Sequence, residues 1–414
     1  MAEPGVAANG GVLRVSDFRR LWLADGLSQV GSRIDFLAIP LLAATTLSAS
    51  VLEVSLLRTF STLPYLVLGL QIGAWCDRMR HRPVLIAADL GRAALFGSIP
   101  VAAVCGVLTL GQVYAVVLLA GVLTVFFSVA HQTYGPHLVE PGRLPEANGL
   151  LQTNTSVAAV AGPGIGGAVV QFAGSAGAMA VDALSYLWSA LWLSRVRTPD
   201  ARPEPAERHL LREIAEDLKA VAGNRILLAI TVHGAVTSLF QSMQMAISVV
   251  FLNREIGLSP GVIGLLSSAM LTGAILAGFT ARRFGDRFGS ARVLCASALL
   301  YGGSLPLSGL TSPGWGLLWY FAGGFGAGFG ITMNVFCVSF QQAVIPRRLL
   351  GRVGAVSQTV LFGAAPLGSL LGGLVAEVAG MRATLLAAGA GALAASAILL
   401  ASPLRKHRGL PVQP

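Results

Sequence analysis

The chain has 414 residues, of which 54% are hydrophobic and only 12% are charged. Soluble domains carry about 25% charged residues, so this composition argues against a soluble enzyme and favours a membrane protein. The net charge of +10 does not indicate a nucleic-acid partner, because the basic residues fall in short turns between long apolar segments. We expect no cofactor, metal or catalytic residue, since no phosphate-binding loop and no metal-ligand spacing is found.

Apolar segments long enough to cross about 30 Å of hydrocarbon recur along the whole chain. They predict an all-α integral membrane protein with twelve transmembrane helices in two six-helix bundles. The predicted helices lie near 17–46, 51–74, 84–108, 111–134, 145–173, 175–196, 225–253, 259–281, 291–310, 314–343, 349–378 and 381–402.

The predicted helices divide the chain into five parts. These are a tail (1–16), an N-terminal bundle (17–196), a linker (197–224), a C-terminal bundle (225–404) and a second tail (405–414). Within the linker, apolar residues at helical spacing over 207–222 predict a short amphipathic helix, which we interpret as a connector between the bundles.

The basic residues are distributed unequally between the two sides of the predicted membrane protein. One side, which carries both termini, holds 24 of the 29 Lys and Arg residues, and the other side holds Arg254 and Arg382. The positive-inside rule then predicts that both termini are cytoplasmic. Arginine supplies 27 of the 29 cations, a bias that indicates a GC-rich bacterial genome and therefore a bacterial inner membrane.

Two charged turns, after predicted helices 2 and 8, nearly repeat one another. Their Asp-Arg pairs are 209 residues apart, about half the chain, and matches between predicted helices 5 and 11 recur at a similar offset of 206. A duplicated charged turn between hydrophobic helices indicates a transporter built from two similar halves. The turns centre on Asp77-Arg78 and on Asp286-Arg287.

Over about residues 17–404 the chain resembles the transporters of the major facilitator superfamily. The first charged turn is similar to that superfamily's loop between helices 2 and 3, and segments 138–152 and 346–353 resemble the branch that includes macrolide-efflux-like drug antiporters and the enterobactin exporter. The resemblance implies two conformational latches on the cytoplasmic side. The latch residues would be Gly73, Asp77, Arg78, Arg82, Asp286, Arg287 and Gly289.

Predicted helix 5 carries a Gly-Pro pattern that resembles the signature associated with antiporters in this superfamily, although Ala158 replaces one glycine. Proline removes an amide donor and bends a helix, and glycines let a neighbouring helix approach. We interpret the segment as a pivot between the halves, with ordinary small-residue packing as the alternative. The pivot residues are Gly149, Gly162, Pro163, Gly166 and Gly167.

Ionisable residues inside apolar helices are costly and indicate function. Asp35 lies near the middle of predicted helix 1, where a low dielectric favours the neutral carboxyl and allows proton exchange. We predict that Asp35 couples transport to protons, with a structural ion pair to Arg33 or Arg58 as the alternative. Arg58 and Asp182 are further coupling candidates, and for Asp182 a purely stabilising pair is the alternative. The superfamily's usual arginine in helix 4 is missing.

The other polar residues of the predicted helices are given weaker roles. Asp89 and Arg92 are expected to pair locally and brace the charged turn, and His131 and Tyr134 are interpreted as packing residues. The C-terminal helices contain a single acidic residue, Glu377, so titrating chemistry is expected in the N-terminal half. Neutral polar and aromatic residues predict an amphipathic substrate cavity. The cavity candidates are Gln152, His233, Gln241, Gln244, Asn334, Phe340 and Gln341.

Together these features predict a secondary active transporter that exports amphipathic small molecules (drugs, antibiotics or secondary metabolites) by proton antiport with alternating access. Its expected partners are the substrate, protons and the lipid bilayer, and it is expected to work as a monomer. Three alternatives stay open at this point: a dedicated exporter of a siderophore or self-made natural product, a proton-independent lipid or solute facilitator, and a membrane scaffold or sensor that does not transport.

Overall fold

A computed structural model describes residues 11–76, 78–198, 200, 223–345 and 347–406 of the chain. The amphipathic helix predicted over 207–222 and the latch residue Asp77 lie outside the described residues. Within the described residues the chain is almost entirely helical and contains no strand, which confirms the all-α prediction.

Twelve long helices are found where the apolar segments predict them. Residue Gly174, with φ of 73°, divides the long stretch Leu144–Ser194 into α5 (144–173) and α6 (175–194), because only glycine adopts this left-handed conformation at low cost. The others are α1 (Ser16–Leu41), α2 (Val51–Cys76), α3 (His81–Val104), α4 (Leu110–His137), α7 (Arg225–Arg254), α8 (Pro260–Phe288), α9 (Ser290–Ser304), α10 (Leu317–Val344), α11 (Arg347–Ala379) and α12 (Met381–Ala401).

Polar cap residues set several of the helix starts. At α2, Ser50 and Glu53 form a reciprocal capping box, in which the Ser50 amide donates to Glu53 Oε2 at 2.7 Å and the Glu53 amide donates to Ser50 Oγ at 3.2 Å. At α7, the side chain of Asn224 accepts from the amides of the first turn. The Glu53 carboxyl thus has a structural role, because it caps the start of α2.

Nine helical stretches among the described residues are long and apolar enough to cross a membrane, with α5 and α6 counted as one stretch. Helix α1 is not one of them, because Asp25, Arg33 and Asp35 lower the hydropathy of its otherwise apolar part. Helix α1 therefore carries ionisable groups within a segment that is otherwise apolar.

Contacts between helix ends define the two faces of the molecule. Arg82, at the start of α3, donates from its side chain to the carbonyl of Leu193 at the end of α6 at 3.1 Å. Asp17, at the start of α1, accepts from the amide of Thr198 at 2.7 Å. We call this side the linker face, because residues 197–224 begin there, and the other side the opposite face.

Helices α1–α6 form the N bundle and α7–α12 form the C bundle, and the two bundles meet near the opposite face. Arg254, at the end of α7, donates from Nη2 to the carbonyls of Ala44 and Ala49, both at 2.7 Å. Deeper in the molecule, the hydroxyls of Thr59 on α2 and Ser369 on α11 lie 3.1 Å apart. These hydrogen bonds hold the described parts of the two bundles together on this side.

The linker-face ends of α5 and α8 are exposed. Gln152 and Thr153 on α5 are exposed, and the side chains of Arg282 and Asp286 on α8 are 93% and 76% exposed. The described residues therefore show two bundles that are joined near the opposite face, whereas the ends of α5 and α8 are exposed at the linker face.

Replacing Arg254 by Gln is expected to open the opposite face. The change removes two charge-assisted hydrogen bonds between the bundles, each contributing roughly 1.5–3 kcal/mol, so the closed-to-open ratio should fall at least about tenfold. Electron–electron distance measurements between spin labels at Val104 and Val378, which are exposed at this face on different bundles, would detect the change.

Arg382→Gln is the matched control for this experiment. Arg382 lies at the same face, but it donates to the carbonyl of Gly309 at 3.1 Å within the C bundle. Its substitution should leave the label distances unchanged, and an equal shift in both variants would show that Arg254 does not act across the interface.

Candidate functional site

A cavity of about 270 Å³ lies inside the N bundle and against α7. Its wall combines apolar and aromatic side chains with a small number of polar groups, as ligand sites commonly do. Two of the predicted coupling residues, Asp35 of α1 and Arg58 of α2, line this wall. The structure thus brings one predicted carboxyl and one predicted guanidinium together in the same cavity.

Asp35 and Arg58 interact through the cavity and not by a direct salt bridge. Arg58 is the cation whose charge acts most strongly on Asp35, followed by Arg33. Among the described residues, no nitrogen of Arg33 or Arg58 lies within 4.0 Å of a carboxyl oxygen of Asp35. The guanidinium of Arg58 lies 5.7 Å from the centroid of the Phe36 ring, a cation–π contact. Asp35 is thus partly exposed to the cavity and has no arginine in direct contact with its carboxyl.

Asp182 lies behind the cavity wall. It is fully buried on α6, and Ser185 donates to its Oδ1 at 3.3 Å. Helix α6 comes so close to α1 that a Cβ atom at Gly31 would lie 2.6 Å from Asp182 Oδ1. The glycine is therefore required for the approach, and Asp182 is held where the charges of Asp35 and Arg92 act on it.

The predicted local pair of Asp89 and Arg92 is present, and both residues are buried in the N bundle. We expected this pair to brace the charged turn, but in the structure Arg92 contacts aromatic rings in the interior. The guanidinium of Arg92 lies between the rings of Phe127 and Tyr186, 4.3 Å from each centroid. Arg92 is thus a cation in the interior of the N bundle, held from α3 between two aromatic rings.

The glycines of α5 contact two different helices. A Cβ atom at Gly166 would lie 3.1 Å from the Cα of Ile34 on α1, and one at Gly167 would lie 2.9 Å from the Cα of Gly264 on α8. The position of Gly149 differs, since no atom would lie within 4 Å of its Cβ. Gly166 and Gly167 of the predicted pivot therefore make close contacts, whereas Gly149 does not.

The remaining pivot residues, Gly162 and Pro163, are buried in α5. A Cβ atom at Gly162 would lie 2.5 Å from the Cβ of Arg33 on α1. One residue after the proline, the amide of Gly164 donates to Ser268 Oγ on α8 at 2.9 Å. This segment therefore joins the N bundle to the C bundle near the opposite face.

The described latch residues lie at the linker face. Gly73 has no atom within 4 Å of its Cβ position, Arg78 is exposed, and Arg82 also donates to the carbonyl of Ser194 at 2.5 Å. Arg82 thus satisfies carbonyls at the end of α6, which have no partner within the helix. The first turn is tied to the N bundle in this conformation.

The second turn is more exposed. Arg282 Nε and Asp286 Oδ2 lie 3.9 Å apart on one exposed helix face, so this pair contributes little to stability. The guanidinium of Arg287 lies 5.5 Å from the Phe288 ring, and Gly289 ends α8 with φ of 92°. The two copies of the turn therefore have different surroundings, although their sequences are similar.

Three of the cavity candidates lie in the core of the C bundle and do not line the cavity. His233 is 1% exposed, with Nδ1 3.0 Å from the carbonyl of Ala395 and Nε2 3.3 Å from Met333 Sδ. Phe340 is fully buried, and Gln244 donates to Ser308 Oγ at 2.8 Å. The polar groups of His233 and Gln244 therefore contact other residues of the C bundle and not the cavity, a distinction that helical spacing alone does not make.

The other cavity candidates are accessible. Gln241, Asn334 and Gln152 are exposed, and Gln341 is half-buried. Gln241 lies one helical turn before Met245, which lines the cavity, so the two share a face of α7. Among the predicted cavity candidates, Gln241 therefore shares a helix face with a residue that lines the cavity.

The sequence analysis missed Asp25, which is only 3% exposed. Its Oδ2 accepts from Asn154 Nδ2 at 3.0 Å, and its Oδ1 lies 3.6 Å from His131 Nε2. A signal was present in the sequence: Asp25, Ser28, Ser32 and Asp35 recur at intervals of three and four residues, which places them on one face of α1.

Two helical bundles, a cavity where they meet and buried ionisable groups in one bundle define a membrane transporter of the major facilitator fold. The family model described as transmembrane secretion effector matches residues 10–413, and the chain belongs to this family of major facilitator superfamily transporters. The family's members are transporters and not enzymes.

Three known proteins illustrate the similarity. Macrolide efflux protein A of Streptococcus pyogenes is 25% identical over 372 residues, covering 88% of this chain and 90% of that protein. The multidrug efflux pump Tap of Mycolicibacterium fortuitum is 28% identical over 370 residues, covering 86% and 88%. The crystal structure of the nucleoside transporter NupG matches with a TM-score of 0.73 at 14% identity, covering 94% of this chain and 99% of that one.

Replacing Gly167 by Ala is expected to weaken closure at the opposite face. The new Cβ would lie 2.6 Å from the carbonyl oxygen of Pro260, and such overpacking costs roughly 1–3 kcal/mol. A cysteine placed at Ser55, which is fully buried beneath α11, should then react faster with a maleimide added at the opposite face. Gly149→Ala is the control, and equal reactivity in the two variants would contradict the prediction.

Proposed function

We propose that this transporter exports amphipathic small molecules from the cytoplasm in exchange for protons, with Asp35 as the proton-carrying residue. The observation that carries the proposal is the position of Asp35, a carboxyl in the cavity wall that shares the cavity with Arg58 but makes no close ion pair with it. A carboxyl that titrates at the substrate site makes proton and substrate binding mutually dependent, which is what antiport requires.

The charge balance of the N bundle supports exchange of a single proton. Among the described residues, the interior holds four carboxyl groups, of Asp25, Asp35, Asp89 and Asp182, and three guanidiniums, of Arg33, Arg58 and Arg92. Carboxyls thus exceed guanidiniums by one. Because an uncompensated charge is costly in a low dielectric, the interior is most stable when one proton is bound. Loss of that proton leaves a net negative charge, which a cationic substrate group or a change of conformation can relieve.

The lining of the cavity suits an amphipathic substrate. Apolar and aromatic side chains, including Phe36, Phe96 and Met245, supply most of the wall, and Asp35 and Arg58 supply charge. Flexible and aromatic side chains adapt to ligands of different shape. The names of two relatives, macrolide efflux protein A and the multidrug efflux pump Tap, agree with a substrate of this class.

The direction of transport follows from the sidedness of the charges. With 24 of 29 basic residues at the linker face, the positive-inside rule assigns this face to the cytoplasm. The conformation described above is then closed to the outside and open to the inside. In this state the cavity takes up substrate from the cytoplasm while Asp35 releases its proton, and reprotonation from the outside follows when the bundles have rocked.

Purified protein in liposomes is expected to exchange protons for erythromycin. Addition of erythromycin to the linker-face side should dissipate a preformed pH gradient, as measured with a pH-sensitive dye. The absence of labelled erythromycin flux would refute export of this substrate class. Erythromycin flux without any proton movement would refute antiport and favour the facilitator.

Asp35→Asn is expected to abolish uphill erythromycin export, because the amide cannot carry the proton, while exchange of labelled for unlabelled erythromycin continues. The matched control is Glu53→Gln, which replaces the carboxyl that caps α2. The new amide oxygen can still accept the cap hydrogen bond from the Ser50 amide. The coupling role of Asp35 is disproved if Asp35→Asn exports erythromycin uphill at the wild-type rate.

A further inference from the structure

A stripe of polar groups runs through the N bundle from the cavity towards the linker face. On α1 it consists of Asp35, Ser32, Ser28 and Asp25, which span about 15 Å along the helix axis. On α6 it is continued by Tyr186 and Ser189, both buried. We call these six residues the polar seam.

The cavity end of the seam is formed by hydrogen-bonding hydroxyls. Ser32 and Tyr186 line the cavity together with Asp35. Their hydroxyl oxygens lie 3.1 Å apart, and Ser32 also donates to the carbonyl of Ser28 at 3.0 Å. A hydroxyl can accept one proton while it donates another, so the groups next to Asp35 are of the kind that relays protons.

The linker-face end of the seam is a cluster around Asp25. Gln29 donates to its Oδ1 at 3.3 Å and Asn154 donates to its Oδ2 at 3.0 Å. His131 Nε2 lies 3.6 Å from Oδ1 and is buried without a hydrogen-bond partner among the described residues. The two amides fix the carboxyl, so that a small movement brings His131 into hydrogen-bonding distance.

Phe127 connects this cluster to Arg92. Its ring stacks on the ring of His131, with 5.6 Å between centroids, and its centroid lies 4.3 Å from the guanidinium of Arg92. The guanidinium of Arg92 also contacts the ring of Tyr186, which belongs to the seam. The positive charge of Arg92 therefore acts on both ends of the seam.

Neither Asp25 nor His131 is among the residues that line the cavity. Asp25 is 3% exposed, whereas the side chain of His131 is 17% exposed. A substrate cannot reach Asp25, but a proton can reach it through the imidazole. The cluster is therefore built for an ion smaller than any substrate.

We propose that Asp25 and His131 form a second proton-binding site, through which the proton of Asp35 leaves for the cytoplasm along the polar seam by a route separate from the substrate cavity. This inference rests on the proposed antiport. It accounts for the buried Nε2 atom of His131, which has no hydrogen-bond partner among the described residues. It also accounts for the polar hydroxyls on α1 and α6 and for the Asp25 carboxyl, which the coupling role of Asp35 does not itself require.

Each step transfers a proton between oxygen or nitrogen atoms only. The Asp35 carboxyl donates its proton to the hydroxyls of Ser32 and Tyr186, which pass a proton of their own along the seam. Asp25 accepts a proton at Oδ1 and donates it to His131 Nε2. The imidazole then releases a proton from Nδ1 at the linker face. Asp35 ends as a carboxylate, and the seam returns to its starting state after the imidazole has changed back to its first tautomer and the hydroxyls have rotated back.

Charged groups on several helices face the two proton-binding ends. They set the electrostatic environment in which each end binds and releases its proton. Those acting on the Asp25–His131 end are Asp89 and Arg92 of α3, and those acting on Asp35 are Arg33, Arg58, Arg92 and Asp182.

The test uses Asp25→Asn and His131→Gln in the full-length protein in liposomes. Both variants should slow erythromycin-coupled proton release and uphill export about tenfold, while exchange of labelled for unlabelled erythromycin stays within about twofold of wild type. His137→Gln is the matched control, since His137 lies on the same helix but is exposed at the linker face. It should behave as wild type.

The pH profile separates a relay from a structural role. In the wild type, uphill export should fall as the linker-face pH is lowered through the range in which His131 becomes protonated, because the imidazole can then no longer accept a proton. In His131→Gln the slow rate should be independent of pH over that range. Asp25→Glu should restore a substantial part of the rate lost in Asp25→Asn.

The outcomes distinguish this inference from the proposed function. Full uphill export in both variants, or an equal loss of erythromycin exchange and export, would overturn the relay while leaving antiport intact. No proton movement in the wild type would instead overturn the antiport on which the relay rests.

Discussion

The structure depends on the cost of placing ionised groups where neither water nor lipid headgroups solvate them. In the N bundle this cost is offset by pairing and close packing: Arg92 pairs with Asp89 between two aromatic rings, and Asp182 accepts from Ser185 against the backbone of Gly31. In the C bundle, the buried imidazole of His233 contacts the carbonyl of Ala395 and the sulfur of Met333. The buried aspartates among the described residues therefore lie in the N bundle, whose side chains also form most of the cavity wall.

The interface between the bundles follows a different physical rule. Lipid does not drive helices together, so the bundles associate through backbone approach and hydrogen bonds. Gly167 and Gly264 bring α5 and α8 together, and Thr59 with Ser369 joins α2 to α11. These contacts are made by glycine backbones and small hydroxyl side chains, and apolar side chains of both bundles pack together near the opposite face.

Hydropathy and breakers predicted the twelve helices, including the break at Gly174, because a helix in lipid must satisfy its own backbone. The sequence also identified Asp35 and Arg58 as candidates, since an ionisable group in an apolar helix is costly and is seldom kept there without a function. In the structure both side chains line one cavity. Asp25 was overlooked because it lies near the charged start of α1, where a solvated position is the usual interpretation. The burial of His233 and the position of Arg92 between two rings depend on contacts between helices, which helical spacing in one helix does not report.

Helix α2 takes part both in the charged cavity and in the interface between the bundles. Arg58 presents its guanidinium to the cavity, where its charge acts on Asp35, and the next residue, Thr59, hydrogen-bonds to the C bundle. One turn earlier, Ser55 packs against Gly373 of α11. Because a helix moves as a rigid unit over one or two turns, a change of charge at Asp35 that displaces Arg58 also displaces these two contacts. In the proposed antiport, the proton and the interface would be coupled by adjacent residues of one helix, without a longer pathway through the protein.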